Sequence, residues 1–157
     1  GFHWADDAVT PHAVLQVAHG MGEHARRYRE PLEPLMRAGW VVYASDHRGH
    51  GLTASGPETL GDFGEKGAEL VVEDLHKLTT VIHGRHPDLP RILLGHSLGS
   101  FFAQAYVFDH SQAIDGLVLL TMLRFWAVRR LAALLLIPYW AWVLYATTLN
   151  VYIAIKN

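Results

Sequence analysis

The chain has 157 residues, half of them hydrophobic, with a formal net charge of −2 and no cysteine. This composition is typical of a folded protein of one-domain length and excludes an intrinsically disordered chain. The lack of a basic block argues against a nucleic-acid-binding surface, and the lack of cysteine excludes disulfides and thiolate metal sites.

The first predicted element is a short buried strand at residues 13–18, which runs into the loop His19-Gly20-Met21-Gly22. Its glycines let the backbone approach a bound molecule closely. Acyl-transfer enzymes stabilise the oxyanion of a tetrahedral intermediate with backbone N–H groups, and a His-Gly loop after a strand is a common source of one. The loop therefore predicts Met21 as an oxyanion donor, with a plain turn as the alternative.

Three regular elements are predicted next along the chain. A helix is expected at about residues 28–38 and is ended by Gly39. A buried strand follows at residues 40–44, and a second helix with one apolar stripe is expected at about residues 68–83. The alternation of strands and helices predicts parallel strand pairing with right-handed crossovers.

The loop at residues 45–67 is rich in glycine and polar residues. The segment that contains Asp46 and Arg48 is expected to brace the active-site face, so both residues are interpreted as structural. Asp74 lies near the apolar stripe of the second helix, where a buried and paired carboxylate is expected rather than a catalytic one.

The apolar run at residues 91–94 leads into a pentapeptide of the form G-x-S-x-G, namely Gly95-His96-Ser97-Leu98-Gly99. Apolar residues at helical spacing follow it. A strand, this pentapeptide and a helix form a nucleophile elbow, a tight turn that exposes a catalytic serine. The pattern predicts Ser97 as a nucleophile and the Leu98 N–H as a second oxyanion donor, and His96 is expected to point away from Ser97.

Three segments in this order resemble the motifs of the monoacylglycerol lipase and lysophospholipase-like α/β-hydrolases, also called the serine aminopeptidase type. They are His19-Gly20-Met21-Gly22-Glu23-His24 with Arg27-Tyr28, Asp46-His47-Arg48-Gly49-His50-Gly51, and Gly95-His96-Ser97-Leu98-Gly99. The resemblance covers about residues 10–120, the first half of such a domain.

This resemblance implies a partial α/β-hydrolase fold, with a mostly parallel sheet flanked by helices. It implies Ser97 as nucleophile, Met21 and Leu98 as oxyanion donors, and no cofactor. The substrate it implies is a small ester, such as a monoacylglycerol or lysophospholipid. The residues that support the motifs are His19, Gly20, Gly22, Gly95, His96 and Gly99.

The acid and the base of a serine triad are not recognisable. After Ser97 the chain holds only two acidic residues and one histidine, namely Asp109, Asp115 and His110. They fall near the end of the helix after the elbow or the start of the next strand, whereas the family's acid and base come from later loops. An earlier histidine can act as the base only if it lies within about 3 Å of the serine hydroxyl. The earlier histidines considered for this role are His19, His24, His47 and His50.

Two histidine pairs have a spacing that suits metal ligands. His47 and His50, and likewise His83 and His86, are three residues apart. Neither pair is joined by the carboxylates or cysteines that complete a ligand shell, so no metal site is predicted.

Residues 1–120, which end in a strand at residues 116–120, are predicted to be the N-terminal half of a hydrolase domain. Residues 121–157 form an apolar tail that is uncharged from 131 to 155. Three interpretations of this tail are open: a cut-short lid or cap with helices at about 127–144, a membrane-associating helix, or replaced sequence.

The sequence thus predicts a serine hydrolase of the carboxylester class that is weak or inactive as this chain alone. The alternative is a non-catalytic membrane-associated or interaction protein that retains half of a hydrolase fold. The first residues lack the pattern of a secretory signal, and the cysteine-free composition suits a reducing compartment. A cytoplasmic location is therefore expected, with membrane-surface contact through residues 131–155 as a further expectation.

Overall fold

A computed structural model of the chain describes residues 1–120, which form a five-stranded sheet packed between helices. Across the sheet the strands lie in the order β1-β3-β2-β4-β5. The strand β1 is antiparallel to β3, and all other neighbours are parallel. The strands are β1 (Phe2–Trp4), β2 (Ala13–Ala18), β3 (Trp40–Ala44), β4 (Arg91–Gly95) and β5 (Gly116–Leu119).

Among residues 1–120, three α-helices cover the sheet, with short 3-10 turns in the loops between. The helices are α1 (Glu33–Arg37), α2 (Gly67–Arg85) and α3 (Leu98–His110). The 3-10 turns are Ala25–Tyr28, Gly51–Thr53, Pro57–Thr59 and Ser111–Ala113. The mostly parallel sheet with flanking helices is the architecture expected from the sequence.

The apolar runs of β2 and β3 fill the core on both faces of the sheet, because alternate residues of a strand point to opposite faces. One face carries Leu15 and Val42 against Tyr28 and the α1 residue Met36. The other face of the sheet packs against α2 and α3. There the fully buried side chain of Leu93 belongs to one hydrophobic cluster with side chains of both helices. All six residues of β2 are buried.

The first predicted helix is wrong in extent. Instead of one helix over residues 28–38, the chain forms a 3-10 turn at Ala25–Tyr28, a further turn, and then the five-residue α1. Pro31 and Pro34 lack the N–H groups that a continuous helix needs at those positions, and each proline disfavours the helical conformation of the residue before it. Pro34 is tolerated because it lies in the first turn of α1.

The other elements agree closely with the sequence predictions. The strands β2, β3 and β4 lie where they were expected, and α2 extends the predicted helix to Gly67–Arg85. The strand β5 ends at Leu119, one residue earlier than predicted.

Asp46 makes structural contacts, as expected, to its own loop and to the turn at Ala25. One of its carboxylate oxygens accepts the Ala25 N–H at 2.7 Å, and the other accepts the Leu52 N–H at 2.9 Å. Asp74 pairs with Arg48 at 2.7 Å, but both side chains are 39% exposed, so the expectation of a buried carboxylate was wrong. The pair spans from the loop to the outer surface of α2, where both partners keep contact with water.

The expectations for the tail, including the lid helices at 127–144 and the uncharged stretch at 131–155, lie outside the described residues. Among residues 1–120, no helix combines the length and the apolar character needed to cross a bilayer.

Candidate active site

Ser97 occupies the turn between β4 and α3. The strand ends at Gly95 and the helix begins at Leu98, so only two residues make the reversal. Ser97 has φ 52° and ψ −118°, and it is one of two non-glycine residues with positive φ in the described part. A side chain in this region carries strain of about 1–3 kcal/mol, which persists only where the surrounding structure imposes it.

The glycines that flank Ser97 leave no space for a side chain. A Cβ on Gly95 would lie 2.6 Å from the Cα of Ser100, on the first turn of α3. A Cβ on Gly99 would overlap the backbone carbonyl of Ala18 at the end of β2. The elbow is therefore packed backbone against backbone on its own helix and on the neighbouring strand.

The loop after β2 lies beside this elbow. A Cβ on Gly20 would lie 3.1 Å from the Cβ of Ser97, and Gly22 has a positive φ of 67°. Within residues 1–120, neither the Met21 nor the Leu98 backbone N–H donates a hydrogen bond. For Leu98 this follows from its place at the start of α3, where an N–H has no partner inside the helix.

His96 connects the elbow to the residues that follow the loop. Its Nδ1 lies 2.7 Å from Glu23 Oε1 and 2.7 Å from the Tyr28 hydroxyl oxygen. The carboxylate side chain of Glu23 is only 9% exposed. Burial, followed by the charge of Glu23, raises the pKa of Tyr28 well above its ordinary value, so its hydroxyl keeps its proton.

Sequence reasoning gave no role to Glu23 or Tyr28, although both stand in the motif that begins at His19. Their closeness to Met21 in the sequence, two and seven residues after it, was the signal that could have marked them as part of the site. What the sequence could not give is the contact of Glu23 with His96, because these residues are 73 positions apart.

His19 and His47 form a buried pair across the ends of β2 and β3. The Nε2 of His19 accepts the His47 N–H at 2.9 Å, so its Nδ1 carries the proton and donates to the Gly20 carbonyl at 2.7 Å. The Nε2 of His47 donates to the His19 carbonyl at 3.0 Å. Burial lowers the pKa of both rings, that of His47 to about 3. Both are neutral near pH 7, and these hydrogen bonds occupy both nitrogens of His19.

His50 and His24 differ in their surroundings. His50 is buried, its Nδ1 contacts the Arg48 carbonyl at 2.9 Å, and its ring packs on Phe63. Its Nε2 is the buried side-chain nitrogen without a hydrogen-bond partner in the described part. His24 is exposed.

The acidic residues and the histidine that follow Ser97, to which the sequence assigns neither triad role, lie toward the far end of α3 or beyond it. The helix α3 has 13 residues, so at a rise of about 1.5 Å per residue its ends lie about 18 Å apart. His110 ends this helix, and its ring stacks on that of His76 at 3.8 Å. Asp115 accepts the Arg91 N–H at the start of β4, the opposite end from the elbow. Neither residue reaches the serine.

Residues 1–120 contain no group of three or more histidine or carboxylate side chains arranged to hold a metal ion. Two open grooves in this part of the chain, of about 1420 and 480 Å³, are lined by neither Ser97 nor Met21.

Comparisons with known proteins agree with this geometry. The family Hydrolase_4, described as serine aminopeptidase, S33, matches residues 9–154. A monoacylglycerol lipase of Mycolicibacterium smegmatis is 42% identical over 103 residues, covering 66% of this chain and 35% of the lipase. A monoglyceride lipase of Rattus norvegicus is 32% identical over 114 residues, covering 73% of this chain and 36% of that protein.

Solved structures give the same result. A thermostable carboxyl esterase from Bacillus coagulans, in complex with glycerol, superposes with a TM-score of 0.69 at 40% identity. The match covers 74% of this chain and 37% of the esterase. The chain thus spans little more than a third of the length of the relatives it matches.

Proposed function

Because the chain belongs to the Hydrolase_4 family, serine aminopeptidase, S33, we propose that it is the N-terminal half of a serine hydrolase of the carboxylester class with Ser97 as nucleophile. The observation that carries this proposal is the placement of Ser97 at positive φ between β4 and α3, directly beside the loop of Gly20 and Met21. Residues 1–120 are the hydrolase part, and residues 121–157 are the apolar tail.

In the proposed reaction the Ser97 hydroxyl oxygen bonds to the acyl carbon of an ester, and the carbonyl electron pair moves onto its oxygen. The backbone N–H groups of Met21 and Leu98 stabilise this oxyanion. When the intermediate collapses, the bond between the acyl carbon and the ester oxygen breaks, the alkoxide leaves with the proton removed from the Ser97 hydroxyl, and the acyl group remains on Ser97. Water then attacks the acyl-enzyme, releases the carboxylic acid and restores the serine.

The hydroxyl proton of Ser97 needs a base, and the sequence holds no histidine after His110 that could supply one. His110 is the last histidine of the sequence, and α3 holds it about 18 Å from the elbow. His19 is a poor base because both of its ring nitrogens are already hydrogen bonded. We therefore propose that this chain alone is a weak or inactive enzyme.

The proposed substrate is a small ester of the monoacylglycerol or lysophospholipid type. The relatives named monoacylglycerol and monoglyceride lipase support this class, as does the esterase with bound glycerol. The uncharged stretch at 131–155 supports contact with a membrane surface, where such lipids are found.

Labelling with an alkyl fluorophosphonate probe tests the nucleophile. We expect slow labelling that mass spectrometry assigns to Ser97, and that is lost in Ser97→Ala. The exposed Ser55 provides the matched control, since Ser55→Ala should label at the wild-type rate. Equal labelling of Ser97→Ala would remove the serine from the mechanism. A folded chain that never labels would favour the non-catalytic interaction protein.

A further inference from the structure

The two proposed oxyanion donors belong to different segments of the chain. Met21 lies in the loop after β2, and Leu98 begins α3 after the elbow. An oxyanion hole works only if its donors are held about 2.7–3.1 Å from the developing charge. Whatever fixes the loop against the elbow therefore determines the geometry of the hole.

The start of the loop is held by the backbone of the elbow. The His96 N–H donates to the Ala18 carbonyl at 3.0 Å, where β2 ends and the loop begins. Gly99 packs against the same carbonyl so closely that a side chain there would overlap it.

The end of the loop is held by the side chain of the same histidine. Glu23 follows the loop directly, and its Oε1 lies 2.7 Å from His96 Nδ1. A carboxylate only accepts hydrogen bonds, so Nδ1 must carry the proton and donate. Such a charge-assisted bond is stronger than one between neutral groups.

Tyr28 completes the cluster. Its hydroxyl oxygen lies 2.7 Å from His96 Nδ1 and 3.4 Å from both Glu23 carboxylate oxygens. With the proton on Nδ1, the tyrosine hydroxyl is free to donate to the carboxylate. Tyr28 is buried and therefore supports Glu23 from within the core.

We propose that Glu23, His96 and Tyr28 form a positioning unit that holds the loop of Met21 at a fixed distance from the elbow. The inference rests on the proposed function, and it assigns to the residue before Ser97 a role at both ends of the loop. None of the three residues needs to touch the substrate. Arg27 also approaches Glu23, at 3.2 Å, but its side chain is 67% exposed and its contribution is screened by water.

The test uses Glu23→Gln and Glu23→Ala in the full chain. The glutamine still accepts a hydrogen bond from His96 but lacks the charge, whereas the alanine removes both. Glu33→Gln is the matched control, because Glu33 also pairs with an arginine four residues away but lies on the surface. Amide hydrogen exchange gives the first readout, since it needs no activity.

We expect faster exchange at residues 19–24 and 96–99 in Glu23→Ala, with a smaller increase in Glu23→Gln. Exchange in β3 should stay at the wild-type rate in both variants. Unchanged exchange in the loop of Glu23→Ala would overturn the proposal. A uniform increase across the sheet would also overturn it, because it would show a global stabilising role.

The second readout is the rate of fluorophosphonate labelling, separated into kinact and KI. Displacement of a donor by a fraction of an ångström should lower kinact by about 10- to 100-fold in Glu23→Ala, with KI unchanged and partial rescue in Glu23→Gln. A looser loop with unchanged kinact would overturn the positioning role. If exchange in the loop is faster in Glu23→Ala but Ser97 is not labelled even in the wild type, the positioning contact is supported and the proposed function is rejected.

Discussion

At Gly99 there is space only for a hydrogen atom, because the Cβ of any other residue would overlap the carbonyl of Ala18. We expect Gly99→Ala to lower the free energy of unfolding by about 1–3 kcal/mol, because two backbone segments would have to separate. Urea denaturation measures this change.

The control for that substitution is Gly84→Ala. Gly84 lies in α2, and a Cβ there meets no atom within 4 Å. Since alanine favours the helix, this variant should be more stable than the wild type by up to about 1 kcal/mol. If Gly99→Ala were as stable as Gly84→Ala, the elbow would not be packed against β2 as described.

At the scale of residues, the sequence predicted local backbone structure but not contacts between distant residues. The strand, the G-x-S-x-G turn and the following helix around Ser97 are all present as predicted. The contact of Glu23 with His96 depends on how two distant loops meet, which no local pattern encodes. For the same reason the sequence did not predict the partners of Gln16, a polar residue inside β2. Its side-chain amide donates to the Leu75 carbonyl and accepts from the Thr79 hydroxyl.

At the scale of elements, the buried histidine pair joins the ends of β2 and β3 and makes their stability depend on pH. The pKa of His19 and of His47 is lower in the folded chain than the ordinary value of 6.5, because burial disfavours the charged ring. The unfolded chain therefore binds more protons below pH 6.5. Stability is complete above that pH and is lost as the pH falls toward 3, the folded pKa of His47.

We expect His47 to lower the free energy of unfolding between pH 6.5 and 4.5 by up to about 1.4 kcal/mol per pH unit, with His19 acting in the same direction. In His47→Gln the slope should be shallower, although the variant is less stable at pH 7.5. Urea denaturation at several pH values, fitted for both proteins, gives the two slopes. Parallel slopes would mean that His47 titrates normally in the folded chain.

Elements with a strong apolar pattern were predicted well from the sequence, and the element with a weak one was not. Runs such as β2 and β3 are buried on both faces, so their position follows from hydrophobicity alone. Around α1 the helix signals and the stop at Gly39 suggested a helix over residues 28–38, yet Pro31 and Pro34 divide the segment. Backbone hydrogen bonding decided the structure there, against the pattern of side chains.

At the scale of the whole molecule, the described sheet brings the ends of β2, β3 and β4 to one edge, where the proposed site lies. We expect this chain to hydrolyse p-nitrophenyl butyrate at least about 10⁴-fold more slowly than a full-length monoacylglycerol lipase, because loss of a triad base has that effect. Steady-state hydrolysis by both proteins, with Ser97→Ala as the blank, measures the ratio. A ratio within tenfold would show that this chain has a working base.

The length of α3 has a practical consequence. His110 and Asp109 sit one helix length away from the elbow, and Asp109 is exposed. Since the chain contains no cysteine, Asp109→Cys would introduce a unique thiol for a fluorescent dye or a surface tether. Such a reporter could follow folding or immobilise the protein without approaching Ser97.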